Sequence, residues 1–194
     1  MSLPTKLYHY SEKLLKELRQ DYHDLARSRM NYFSKPFGLW LSVEDYEDDE
    51  NWKTWCEKEE FALKSLNYKY LIELKKRAKI LHLSTTRELE EFSLKYKGND
   101  PFNYERFASQ FTKNPYIYII DWELLSKEYD GIIIAPYNWD CRLRNPTSWY
   151  YGWDCASGCI WNIDAIKSIT LLKEQFPQVE TLKDLQLADL APSK

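Results

Sequence analysis

The run Ile132-Ile133-Ile134-Ala135, opened by Asp130-Gly131 and stopped by Pro136, places the strongest constraint on the fold. A continuous apolar run without alternation suits a strand buried on both faces, so it demands covering structure above and below it. The expected place for this strand is nearest the centre of a sheet. Around it, segments that alternate like strands are interleaved with segments of helical spacing. Strands are expected at 7–10, 37–43, 68–74, 79–83, 116–120 and 167–172. Leu14, Leu15, Leu18, Tyr22 and Leu25 predict a helix over 12–31 behind Ser11 as its cap, ended by the Pro36 break.

Further helices are expected over 51–66, where Trp52, Trp55, Cys56, Phe61 and Leu63 share a face, and after Thr85 or Thr86. A short helix is expected over 104–111 and another over 122–129. The basic turn KKRA joins the strands at 68–74 and 79–83, which predicts a hairpin or two adjacent strands. Residues 138–146 form a loop holding Trp139, Arg142 and Arg144, and an aromatic cluster follows over 149–161. These patterns predict an α+β class in a single domain over 1–194, with a core over about 7–172 and a polar C-terminal tail over 174–194.

Composition narrows the function classes. The net charge of −3 disfavours broad attraction to polyanions, although a local basic groove fits within such a total. No apolar run approaches the ~20 residues of a membrane span, and the charge from Lys6 onward is unlike a secretory leader, so a cytoplasmic protein without a membrane partner is expected. Cys56, Cys141, Cys155 and Cys159 are scattered, which predicts reduced thiols. Only Cys155 and Cys159 are close in sequence, at a spacing looser than a zinc knuckle, so no metal site is expected. The chain has no phosphate-binding Gly-Lys-Ser/Thr loop, GxGxxG, HExxH or GxSxG pattern.

Aromatic residues concentrated as in 35–56, KPFGLWLSVEDYEDDENWKTWC, either fill a core or wall a slot for a flat ligand. The order of LYHYS, then KPFGLWLS, then Trp55-Cys56 resembles the N-terminal half of the diphtheria-toxin-like and poly(ADP-ribose) polymerase-like ADP-ribosyltransferases. YKYLIEL, AKILHLS, TRELEEF and EYDGIII are similar to the middle and later elements of that family, so the resemblance spans about 7–172. It implies an ADP-ribosyltransferase-like split β-sheet with flanking helices, and NAD as substrate. The implied activity moves ADP-ribose to a macromolecular acceptor, protein or nucleic acid, with release of nicotinamide. An NAD glycohydrolase and a non-catalytic nucleotide- or ADP-ribose-binding module are the alternatives on the same fold.

The resemblance matches His9 to the family histidine, Gly38-Leu39-Trp40-Leu41-Ser42 to the second motif and Trp55 to the second aromatic. Contacts to NAD are therefore expected at His9, Tyr10, Ser11, Gly38, Trp40, Ser42 and Trp55, with Trp40 and Trp55 as the faces of the nicotinamide slot. Arg142, paired with Arg144, is expected to hold the pyrophosphate, because guanidinium groups engage phosphate oxygens in bidentate fashion. Arg27 and Arg29 are further candidates. An oxocarbenium-like transition state calls for a carboxylate, yet the family's glutamate position falls at Ser157 or Gly158, and no glutamate stands between Glu128 and Glu174. Asp154 is the carboxylate in that neighbourhood, so His9 and Asp154 are the expected catalytic pair.

Overall fold

The computed structural model describes residues 3–18, 35–47, 49–98 and 119–174. Within them lie strands β1 (Leu7–Ser11) and β2 (Leu39–Val43), helix α1 (Trp52–Lys58), and strands β3 (Tyr68–Leu74) and β4 (Ile80–Leu83). Helices α2 (Thr86–Lys95) and α3 (Trp122–Ser126) follow, then strands β5 (Gly131–Ile134), β6 (Ser157–Ile160) and β7 (Ile166–Glu174). The protein is mixed α+β, and its described residues form a seven-stranded open sheet in the order β4-β5-β6-β2-β1-β3-β7. β4 and β5 run parallel, and the remaining neighbours are antiparallel.

The strands at 68–74 and 79–83 are not a hairpin and not neighbours. β3 pairs with β1 and β7, whereas β4 lies at the opposite edge beside β5. Five interstrand steps of ~4.8 Å would separate them by ~24 Å in a flat sheet. The link from Leu74 to Ile80 reaches at most ~20–22 Å, so the sheet must curl to bring its two halves together. Lys75 N donates to the Ala165 carbonyl and Asp130 N to the Lys79 carbonyl, each bond tying an end of the link to the later half of the chain.

β5 is second from an edge rather than central, because the parallel crossover through α2 sets β4 outside it. Its four residues are nevertheless all buried. The cover is aromatic: Phe92 of α2, Trp122 of α3, and Trp149, Tyr150, Trp153 and Trp161 form one cluster with β5 and β6. Trp149 Nε1 donates to Ser93 Oγ at 2.7 Å and Trp161 Nε1 to the Tyr129 carbonyl at 2.7 Å, so two of the buried indoles are also satisfied as donors. All four cysteines are buried free thiols. Among the described residues, no helix is long and apolar enough to cross a membrane.

The helix expected over 51–66 is broken after Lys58. An Asn51–Thr54 capping box starts it, but Glu60 and Ala62 adopt left-handed φ of 51° and 45°, and a 3-10 turn, Leu63–Leu66, follows. The break lets Phe61 pack edge-on against Trp52 and Trp55 while Leu66 turns inward onto Tyr10 and Cys56. Residues 12–18 are likewise not helical. Ser11 Oγ closes a local turn with the Lys13 backbone, and Leu15 N donates to the Tyr70 phenol at 2.7 Å, so the backbone is tied to β3 instead of to itself. Residues 19–31 of that expected helix, the helix over 104–111, the strand residues 116–118 and the tail beyond 174 lie outside the described residues.

Candidate functional site

The sheet forks between β1 and β2. They pair at Leu7↔Val43 and Tyr8↔Ser42, after which β1 continues on β3 to Ser11↔Tyr68, and β2 continues on β6 from Ser42↔Ser157 to Leu39↔Ile160. A cleft of about 270 Å³ opens in the fork, lined by His9, Tyr10, Lys35, Trp40, Trp52 and Asp154 among others. It lies near the lower end of the ~300–1,000 Å³ typical of ligand sites, room for a ring and a sugar rather than a whole dinucleotide.

His9 bridges the fork. Its Nδ1 lies 2.9 Å from the Trp40 carbonyl, and because a carbonyl only accepts, Nδ1 carries the proton. Nε2 of the neutral ring is then left as an acceptor. Burial holds the His9 pKa below its ordinary value, although the Trp40 bond opposes that shift, so the neutral form prevails near pH 7.

Two indoles wall the cleft. Trp40 is set by an edge contact with buried Trp153, ring centroids 4.8 Å apart. The second wall is Trp52, not the expected Trp55. Trp52 N donates to Ser42 Oγ at 3.1 Å, anchoring the start of α1 to β2, and its indole donates to Ser65 at 3.3 Å. Trp55 stacks on Trp52 at 5.4 Å, backing that wall, and is not among the residues lining the cleft. The start of the helix is bonded to the strand, and Trp55 sits three residues, ~4.5 Å, further along the axis.

Other expected contacts separate by position. Tyr10 lines the cleft while its phenol donates to Glu44 at 2.7 Å, and Glu44 also accepts from Lys69 at 2.7 Å. Ser42 lines the cleft, and its hydroxyl holds the start of α1. Ser11 turns to its own loop and is not a lining residue. Gly38 is explained by packing, since a Cβ there would lie 2.5 Å from the Ile160 carbonyl oxygen and 2.7 Å from Cys159 Sγ. The same limit applies at Gly158, where a Cβ would meet the Ile132 carbonyl oxygen at 2.8 Å, so no glutamate fits there. Ser157, paired with Ser42, is the residue that faces the cleft.

Asp154 reaches the cleft from the turn before β6, between two cations. Lys35 Nζ lies 3.9 Å from Oδ2 and Arg142 Nη2 lies 3.6 Å from Oδ1. Burial raises the Asp154 pKa, and both cations pull it back down. Lys35, whose pKa burial lowers against the opposing pull of Asp154, lies over Trp40 at 5.2 Å from the ring centroid. Arg142 is held between the rings of Trp139 and Tyr151, at 5.2 and 5.1 Å. Arg144 does not join it but pairs with Glu90 of α2. Arg27 and Arg29 lie outside the described residues.

His9, Tyr10, Trp40, Ser42 and Asp154 thus converge, and Arg142 joins them through Asp154. Lys35 and Trp52 were not expected. Trp52 carried a signal, its place on the same helix face as Trp55, whereas Lys35 lies in irregular chain before Pro36 where no periodicity points. Comparison of the chain with protein-family models, curated proteins and solved structures gives no match.

Proposed function

We propose that the protein binds NAD with the nicotinamide and its ribose in the cleft, and that it transfers ADP-ribose to a protein or nucleic-acid acceptor. The observation that carries this reading is the convergence of His9, Trp40, Ser42 and Asp154 on one cleft at the β1–β2 fork. The planar nicotinamide stacks between Trp40 and Trp52, and a ribose hydroxyl donates to Nε2 of His9. As the glycosidic bond breaks, its electron pair leaves with nicotinamide and positive charge develops on the ribose, which the Asp154 carboxylate stabilises. The acceptor nucleophile then bonds to the anomeric carbon and gives up its proton to water.

The neutralisation of Asp154 by Lys35 and Arg142 favours a second reading, a module that binds NAD without turnover. Incubation with NAD separates the two. Nicotinamide release above the uncatalysed rate, with ADP-ribose recovered on a macromolecule, is the expected result. Release with all ADP-ribose free in solution identifies a glycohydrolase. No release, with NAD still raising the melting temperature by linkage, establishes the binding module.

A further inference from the structure

We infer that Lys35 and Arg142 form a two-cation site for a diphosphate group and that Asp154 fills it as an internal counter-ion in the ligand-free protein. The inference rests on the nucleotide reading only for the identity of the natural ligand. A cation sheltered beside a cleft normally spends its N–H groups on acceptors, and the Arg142 side chain is only 23% exposed, against 40% for Lys35. Here neither side chain makes a hydrogen bond among the described residues, and Arg142 Nε is buried without an acceptor there. Asp154 stands 3.6 Å from one cation and 3.9 Å from the other, beyond hydrogen-bond distance, so it balances charge without using the donors.

Ring faces hold the cations in place. Arg142 is between Trp139 and Tyr151, and Lys35 is over Trp40, so each charge is positioned by contacts that leave its polar atoms unspent. Among the described residues, two cations against one carboxylate leave a net positive charge beside a wall of the aromatic cleft. An anion with oxygens on two linked centres can engage Lys35 and Arg142 together, whereas a single carboxylate spans between them without bonding to either. A diphosphate meets that requirement, and a guanidinium matches phosphate oxygens as a fork. Its arrival displaces Asp154 and releases that carboxylate toward the cleft. Diphosphate binding and the exposure of a negative charge beside the ribose position thereby become one event.

The probe is inorganic pyrophosphate, titrated calorimetrically into the full chain at low salt. Asp154→Asn removes the competitor and is expected to tighten pyrophosphate binding at least tenfold. Lys35→Met and Arg142→Met, which preserve packing against the rings, are each expected to weaken it at least tenfold. Unchanged or weaker binding in Asp154→Asn overturns the inference, as does full binding in either methionine variant. Should a variant fail to fold, the unmodified protein still decides: pyrophosphate is expected to slow acetylation of Lys35 several-fold, and absence of protection overturns the inference. None of these measurements uses NAD, so their outcome is separable from that of the nucleotide reading.

Discussion

The chain builds two aromatic clusters, and they differ in what surrounds them; Trp40, edge-on to Trp153 of the first, lines the same cleft as Trp52 of the second. In one, Phe92, Trp122, Trp149, Tyr150 and Trp153 lie between α2, α3 and the β5–β6 sheet, with Trp122 2% and Trp153 1% exposed. In the other, Trp52 and Trp55 stack on each other with Phe61 edge-on to both, and Phe61 is 52% exposed. The first has sheet on one side and helices on the other and is closed. Among the described residues the second has sheet on one side only, and beside it stand a histidine, a carboxylate and two cations. Aromatic density alone therefore does not mark a site. Partial exposure together with titratable groups does.

Substitution separates the clusters most sharply. Trp122→Ala is expected to cost about 3–5 kcal/mol of stability, because it empties a large buried volume. Denaturant unfolding checks this, and a loss no larger than that of a surface change would mean that the inner cluster is not core. At the fork, Trp40→Ala and Trp52→Ala are each expected to weaken NAD binding about tenfold, ~1.4 kcal/mol, while the protein still unfolds cooperatively. Trp55→Ala, which removes the backing and not the wall, is expected to weaken binding less than Trp52→Ala. Equal losses, read by calorimetry, would place both rings against the ligand.

The smallest effect concerns pH. His9 stays neutral in the fold because burial lowers its pKa, whereas the unfolded chain takes up that proton near the ordinary value of 6.5. Its contribution to stability is therefore complete above pH 6.5 and declines as pH falls below it, where the unfolded state binds more protons. His9→Gln is expected to flatten that part of the stability profile. It is also expected to remove the loss of NAD affinity that protonation of Nε2 produces at acid pH. An unchanged profile in the variant would assign the slope to other groups.

Most strands were legible because each exposes one face or none and carries the matching pattern: LYHYS, LWLSV, YKYLIEL, ILHL and GIII were all readable. β6 was hidden within the aromatic cluster. Its SGCI has small residues where β5 and β2 approach closely, so no alternation of large side chains announces it. Strand order was not legible either, since pairing β3 with β4 is the local solution and only the curled sheet allows both to pair elsewhere. In the site, His9, Trp40 and Asp154 were chosen by residue type and order. Trp52 replaced Trp55 because the start of α1 is tied to Ser42, a contact between separate elements.

What the sequence determined by itself was local: which segments alternate, which carry caps, and which aromatic, basic and acidic side chains the chain can bring to a cleft. Side-chain periodicity and backbone capping act over a few residues, so they are written in neighbouring positions. The tertiary structure decided where β1 and β2 part, which indole faces the opening, and that Asp154 stands between Lys35 and Arg142. Those outcomes depend on contacts between separate elements, some of them more than a hundred positions apart, as Ser42 with Ser157 and Lys35 with Asp154, set when the sheet curls and the strands choose their neighbours, and no local pattern encodes them.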